Sequence, residues 1–289
     1  MKKSILSLLC ILAFALPFVA ATPCFADTGE TTIDQITYRY DTETGEATVS
    51  DADESISGNA VIPGTIEVGG QKYKVTSIGD DAFVWCAGLD QITILEGVTS
   101  IGDYAFSYCP SLTQIAIPES VTSIGQGTFA YCSSLKEITI PEGVTSIGDS
   151  AFISCASLTE VTIPESVTSI GDGTFDSCSS LKEIAIPEGV TSIGSNAFAY
   201  CSSLKEIAIP EGVTSIGDYA FCECDNLTNV YVREGLSLGA DPFIDGSRDV
   251  RVLRYEVLEN AEASEDGKVH VAIVSVEDKD GAGITASLA

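Results

Sequence analysis

The chain has 289 residues, and 42 acidic side chains outnumber 14 Lys and Arg, for a net charge of −28. So acidic a surface repels phosphate backbones and anionic lipid headgroups, which argues against nucleic acid or a membrane surface as the partner. The apolar fraction of 45% is enough for a substantial buried core.

Residues 1–26 have the pattern of a secretory signal peptide. Lys2 and Lys3 form a basic start, and the apolar run from Ile5 to Val19 is too short to span a bilayer. Cleavage fits after Ala26 or after Ala21. Because residues 1–26 contain two bases and no acid, cleavage after Ala26 leaves 12 − 42 = −30 charges.

Lipidation of Cys24 is an alternative to simple cleavage. Pro23 precedes this cysteine, where a lipoprotein signal has a small residue, so export without a lipid anchor is the better interpretation, with the protein then free or held at the surface by other contacts. No later segment is long and apolar enough to predict a transmembrane helix.

Residues 27–74 are predicted to form an N-terminal β cap. Two alternating segments, Ile36–Tyr40 and Glu46–Ser50, flank a polar turn, as in a β-hairpin. Residues Val61–Lys74 then resemble a degenerate repeat that leads into the array.

A 23-residue repeat occupies residues 75–235. The pentapeptide VTSIG recurs without insertion or deletion, starting at Val75, Val98, Val121, Val144, Val167, Val190 and Val213. A fixed period of 20–29 residues is typical of a leucine-rich repeat solenoid, in which stacked units bury apolar columns that one unit cannot bury alone.

One unit, Val144–Ser166, shows the predicted construction of a rung. Leu158, Val161 and Ile163 have the spacing of a leucine-rich strand with one buried face. Asp149 stands where a short helical turn is expected to begin, and most rungs carry Asp there, which suggests helix N-capping.

The string L-x-x-I-x-I-P-x-x-V-x-x-I-G-x-x-A-F-x-x-C resembles the BspA-like (Treponema-type) leucine-rich repeats of bacterial surface proteins. The resemblance covers about Gly58 to Gly235. It departs from the general leucine-rich pattern where an asparagine is usual, because Gly97, Ser120 and Gly143 occupy that place; Gly, Ser and Cys must therefore close the turns differently. The resemblance implies an extracellular adhesion protein that binds host or neighbouring-cell proteins.

Residues 236–289 are predicted to form a C-terminal cap and a β-strand tail. Pro242-Phe243 resembles a last, distorted rung, and Val250–Leu258 and Val269–Val276 alternate like two strands. These strands either close the solenoid or begin another small β domain. The only histidine, His270, lies here, and one histidine in a short tail is a poor basis for catalysis or a zinc site.

One cysteine per rung forms a column: Cys86, Cys109, Cys132, Cys155, Cys178, Cys201 and Cys224. Parallel side chains in a column do not converge on a metal ion, and their Cβ atoms are slightly too far apart for disulfides. We expect small buried hydrophobic residues. Cys222 stands outside the column and is the candidate reactive thiol, which could pair, oxidise or cross-link.

One glutamate per rung forms an acidic column: Glu96, Glu119, Glu142, Glu165, Glu188, Glu211 and Glu234. Calcium needs six to eight oxygens around one ion. A single carboxylate per turn supplies too few unless aspartates join it, so we interpret the column as solvated charge. No metal site and no cofactor are predicted.

A variable column beside the predicted turn is the candidate partner-binding surface. It consists of Trp85, Tyr108, Tyr131, Ser154, Ser177, Tyr200 and Glu223, with Tyr104 close by. Aromatic side chains are preferred anchors of interfaces. The alternative is that these rings are half-buried packing, and the sequence alone leaves both interpretations open.

The leading hypothesis is a non-catalytic, secreted or cell-surface protein that presents a repeat surface to an extracellular protein ligand, in matrix or on a neighbouring cell. The alternative is a carbohydrate-binding or structural spacer element of the bacterial envelope. An enzyme in the tail is a third, weaker possibility. No phosphate-cradling glycine loop or dinucleotide motif is present, since the glycines recur at turn positions.

Overall fold

The computed structural model describes residues 28–243, 250–257 and 271–278. Successive 23-residue units stack in register as rungs, so that Ser123 pairs with Ser146 and Ile124 with Ile147 in parallel. The predicted leucine-rich-repeat solenoid is confirmed. The predicted signal peptide, Cys24 and His270 lie outside the described residues.

The N-terminal end is closed by antiparallel strands. The hairpin expected from the alternation is present, and the strands are β1 (Thr28–Ile33), β2 (Ile36–Asp41), β3 (Glu46–Ala52), β4 (Ser57–Ile62), β5 (Thr65–Val68) and β6 (Gln71–Ile78). β3 pairs in parallel with β6, which carries the first VTSI segment. The hairpin therefore covers the open end of the first rung.

Each rung contributes to two sides of the solenoid. The short Ser–Ile strands are β8 (Ser100–Ile101), β10 (Ser123–Ile124), β12 (Ser146–Ile147), β14 (Ser169–Ile170), β15 (Ser192–Ile193) and β17 (Ser215–Ile216). The leucine-rich strands are β7 (Gly88–Ile94), β9 (Gln114–Ala116), β11 (Glu137–Thr139), β13 (Glu160–Thr162), β16 (Glu206–Ala208) and β18 (Asn229–Arg233). Together with β4, the second set forms the surface that we call the strand side.

The tail continues the solenoid. β19 (Arg251–Val257) pairs in parallel with β18, and β20 (Val271–Asp278) pairs antiparallel with β19. The Nε atom of Arg254 donates to Glu277 at 3.0 Å and joins the two last strands. β19 therefore adds a parallel strand to the array, and β20 adds an antiparallel strand beside it.

The core consists of continuous columns of identical side chains. The seven Phe residues from Phe83 to Phe221 have no solvent exposure, and adjacent rings lie 5.0–5.7 Å apart in stacked orientation. Phe243 extends the stack at 5.8 Å from Phe221. Each rung thus buries its apolar side chains mainly against its two neighbours.

The predicted short helical turn is wrong: the described residues contain no helix, and two consecutive turns occupy that segment. The aspartates do not cap helices either. Asp149 Oδ1 accepts the backbone N–H of Asp172, one rung further, at 3.0 Å, and Asp103 accepts that of Gln126 at 2.7 Å. These aspartates accept a backbone N–H, as a helix-capping residue does. The N–H belongs to the next rung, however, and not to the aspartate's own turn.

A glycine must follow each Ser–Ile strand because the preceding rung lies too close there to leave room for a side chain. A Cβ at Gly125 would lie 2.6 Å from the backbone nitrogen of Asp103 in the rung before. Any larger residue would push the two rungs apart, which explains the constant Ile-Gly pair.

Candidate binding surface

Each turn segment contains two residues with left-handed backbone conformation. The second of these positions is the variable column, with φ between 55° and 64°, and holds Trp85, Tyr108, Tyr131, Ser154, Ser177, Tyr200 and Glu223. The left-handed conformation points each N–H along the solenoid axis, where that of Tyr108 donates to the carbonyl of Ala130 at 2.8 Å. The backbone conformation is therefore set by rung stacking, whichever side chain is present.

Aromatic residues are costly at such positions. The left-handed conformation costs an L-residue about 1–2 kcal/mol and is usually occupied by Gly, Asn or Asp. Strain of this kind persists where the surrounding structure imposes it, often at functional sites.

Trp85, Tyr108 and Tyr131 stack face to face along the axis. The ring centroids of Trp85 and Tyr108 are 3.9 Å apart with planes 17° from parallel, and those of Tyr108 and Tyr131 are 4.4 Å apart at 11°. Trp85 is 54% exposed and Tyr131 41% exposed, while Tyr108 between them is half-buried. Desolvation by burial, followed by the charge of Tyr131 and a hydrogen bond with it, raises the pKa of Tyr108.

Tyr104 is an exposed aromatic residue in the same turn as Tyr108, outside the stack of three rings. It occupies the first left-handed position of its turn, with φ of 54°, and is 39% exposed. A Cβ at Gly127 would overlap the Tyr104 ring, so the ring lies close against this glycine in the next rung. We call the four residues Trp85, Tyr104, Tyr108 and Tyr131 the aromatic plaque.

Tyr200 lies apart from the plaque. It shares the left-handed position and is 51% exposed, but Ser154 and Ser177 separate it from Tyr131. Tyr219, 39% exposed, was not predicted and lies in the next turn, at the position equivalent to Tyr104. The sequence signal for Tyr219 is its place in the column of Tyr104, which is separate from the variable column.

The cysteine column is buried and links the rungs. Each thiol from Cys109 to Cys224 donates to the carbonyl of the Phe 26 residues earlier, as in Cys155 Sγ to Phe129 O at 3.1 Å. Burial raises the pKa of Cys155 and Cys224 to about 12. Small buried side chains were predicted correctly, but the hydrogen bond was not foreseen.

Serines complete these links where asparagines are usual, as expected. Ser120 Oγ donates to the Val98 carbonyl at 2.7 Å. Cys222 is partly exposed in the last complete rung, and within the described part of the chain no cysteine forms a disulfide. Its reactivity stays a prediction.

The glutamate column is exposed along its whole length. Among the described residues, no group of three or more His, Cys, Asp or Glu side chains is placed to hold a metal ion. Nor does that part of the chain contain a helix long and apolar enough to cross a membrane.

The family comparison identifies the repeat. The model of the BspA type leucine rich repeat region matches residues 71–180 and 145–245, with six copies. No curated protein matches the chain.

Solved structures with the same architecture are bacterial. A leucine-rich repeat protein from Bacteroides ovatus is 32% identical, with a TM-score of 0.54, over 78% of this chain and 71% of that one. The Treponema pallidum leucine rich repeat protein is 28% identical, with a TM-score of 0.61, over 69% and 91%. A leucine rich cell surface protein from Faecalibacterium prausnitzii is 28% identical, with a TM-score of 0.53, over 74% and 73%.

Proposed function

The chain belongs to the BspA-type leucine-rich repeat family, and we propose that it is an exported, non-catalytic protein that binds an extracellular protein ligand through the aromatic plaque. A secreted or cell-surface location is part of this proposal. It is supported by the N-terminal signal pattern and by the similar cell surface protein of Faecalibacterium prausnitzii.

The observation that carries the proposal is the exposed stack of Trp85, Tyr108 and Tyr131 at left-handed backbone positions. The equivalent residues in the next two rungs are Ser154 and Ser177, with the same φ near 60°. Rung stacking therefore does not need an aromatic ring there. Large, rigid rings of this kind provide interface area at low cost in conformational entropy.

The stack favours a protein over a saccharide. Sugars bind to aromatic rings through the ring faces, but here both faces of Tyr108 and one face each of Trp85 and Tyr131 are covered by neighbours. Along the side of the stack, solvent meets ring edges and tyrosine hydroxyl groups, and only the two end rings have a face without a stacked neighbour. Such an edge surface fits an apolar patch with hydrogen-bond partners on a protein.

The test is a parallel screen of the immobilised protein against extracellular matrix proteins and against a glycan array. We expect binding to at least one matrix protein, lost in the variant W85S/Y108S/Y131S, which copies the serines of the next rungs. Tyr200→Ser is the matched control, because it changes the same backbone position outside the plaque. A signal on glycans alone, or equal losses in both variants, would overturn the proposal.

A further inference from the structure

The strand side carries a second surface that shares no residue with the plaque. The leucine-rich strands pair as three separate groups, β4-β7-β9, β11-β13 and β16-β18, and in the fifth rung residues 183–185 form no strand between β13 and β16. The inward side chain of this rung, Ile184, is only partly buried, whereas its equivalents Val161 and Ile207 are 6% and 2% exposed. The ladder is therefore interrupted at this rung.

A groove of about 520 Å³ lies at the interruption. It is lined by the small side chains of Ala185 and Ala208 and by the aromatic ring of Tyr231, among others. In rungs three and four the position of these alanines is occupied by Thr139 and Thr162.

Three carboxylates line the groove, one from each rung: Glu160, Glu183 and Glu206. All three residues are exposed, and none has an ion-pair partner within 4.0 Å in the described part of the chain, where the ion pairs are Arg39–Glu30 and Arg254–Glu277. Lys182 and Lys205 precede two of these glutamates in sequence but do not pair with them. The groove therefore combines small side chains with three carboxylates that form no ion pair within 4.0 Å.

We propose that this groove binds an extended peptide segment of another protein that carries Lys or Arg at alternate positions. Rungs repeat about every 4.8 Å, so the three carboxylates span about 10 Å along the axis. An extended chain places alternate side chains on one face about 7 Å apart, within reach of these carboxylates for flexible Lys and Arg stems. The net charge of −28 attracts such a segment over a long range.

The direct test is fluorescence anisotropy with a labelled octapeptide of alternating Lys and Ala at low salt, titrated with the full chain. We expect saturable binding that weakens as salt is added, and no binding of the matching Glu–Ala peptide. Glu183→Gln should weaken binding about fivefold, the loss of one partly desolvated charge contact.

Two controls separate the groove from general charge attraction. Glu188→Gln removes the same charge from an exposed position in the same rung, outside the groove, and should change the affinity less than about twofold. Ala185→Leu fills the groove without changing charge and should abolish binding, with folding verified by circular dichroism. Equal effects of the two Glu→Gln changes, or full binding by Ala185→Leu, would overturn the proposal.

The proposal for the groove and the proposal for the plaque can be refuted independently of each other. The variant W85S/Y108S/Y131S should bind the Lys–Ala peptide like the unchanged protein, because it leaves the strand side untouched. Loss of peptide binding in this variant would contradict a separate site on the strand side, whatever the outcome of the matrix-protein screen.

Discussion

Tyr131 and Phe129 stand two residues apart in one rung, and their removal should have very different consequences. Phe129 is fully buried, with rings of the neighbouring rungs at 5.6 and 5.4 Å. Phe129→Ala should lower the free energy of unfolding by about 3–5 kcal/mol, the usual cost of deleting a buried ring. Tyr131 is 41% exposed and has one stacked ring neighbour, Tyr108, at 4.4 Å.

Tyr131→Ser should cost only about 1–2 kcal/mol. The lost stacking contributes about 0.5–1.5 kcal/mol, and the ring is only partly buried. The backbone cost does not change, because Ser154 has the same left-handed conformation one rung later. The loss of unfolding free energy in Tyr131→Ser should therefore be at least about 1 kcal/mol smaller than the loss in Phe129→Ala.

Urea unfolding followed by far-ultraviolet circular dichroism measures this difference as a shift of the midpoint at constant slope. The slope must stay constant because repeat arrays can unfold in parts, which would invalidate a two-state value. A cost for Tyr131→Ser equal to that for Phe129→Ala would refute the reasoning, because the tyrosine would then be core packing rather than a surface available to a partner.

Three further results are expected. Asp149→Ala should lower stability by about 1–2 kcal/mol in urea, with Asp149→Asn closer to the parent, because the alanine leaves the Asp172 N–H without its side-chain acceptor. Tyr200→Gly should raise the midpoint by an amount equivalent to about 1 kcal/mol, since glycine removes the left-handed cost at φ 57°; a lower midpoint would show that the ring contributes packing. Burial raises the pKa of Cys155 and Cys224 from 9.0 to about 12, so as the pH rises the unfolded chain loses these protons before the folded chain does. The free energy of unfolding should therefore fall between pH 9 and 12. Stopped-flow unfolding measures this, and a flat profile across the range would contradict buried thiols.

The sequence was sufficient for the architecture because its period is unbroken. A constant 23-residue spacing fixes which residues lie above one another, and the columns of Phe, Cys and Val follow from it directly. The N-terminal hairpin was predictable because its two segments alternate between apolar and polar residues around a polar turn. The pairing of β19 with β18 was not predictable, because alternation indicates a strand but not its neighbour.

The turns were the part that sequence reasoning described wrongly. The spacing of Asp149, Phe152 and Cys155 fits one helical turn, but it fits equally well two consecutive turns that each contain a residue in left-handed conformation. Only the backbone hydrogen bonds to the next rung distinguish the consecutive turns from a helix. For the same reason the aspartates were assigned to helix caps. The column of Trp85, Tyr108 and Tyr131 was predicted, whereas their face-to-face stacking depends on side-chain rotamers that spacing does not determine.

The central claim is that the aromatic plaque is the binding surface, and the affinity of Tyr108→Ser for a matrix protein captured in the screen tests it most directly. Removing the middle ring leaves Trp85 and Tyr131 without their shared neighbour, at a position where serine already occurs in two rungs. Surface plasmon resonance should show a dissociation constant raised at least about 30-fold, as for an interface hot spot of about 2 kcal/mol, with the circular dichroism spectrum unchanged. An unchanged dissociation constant would contradict the account.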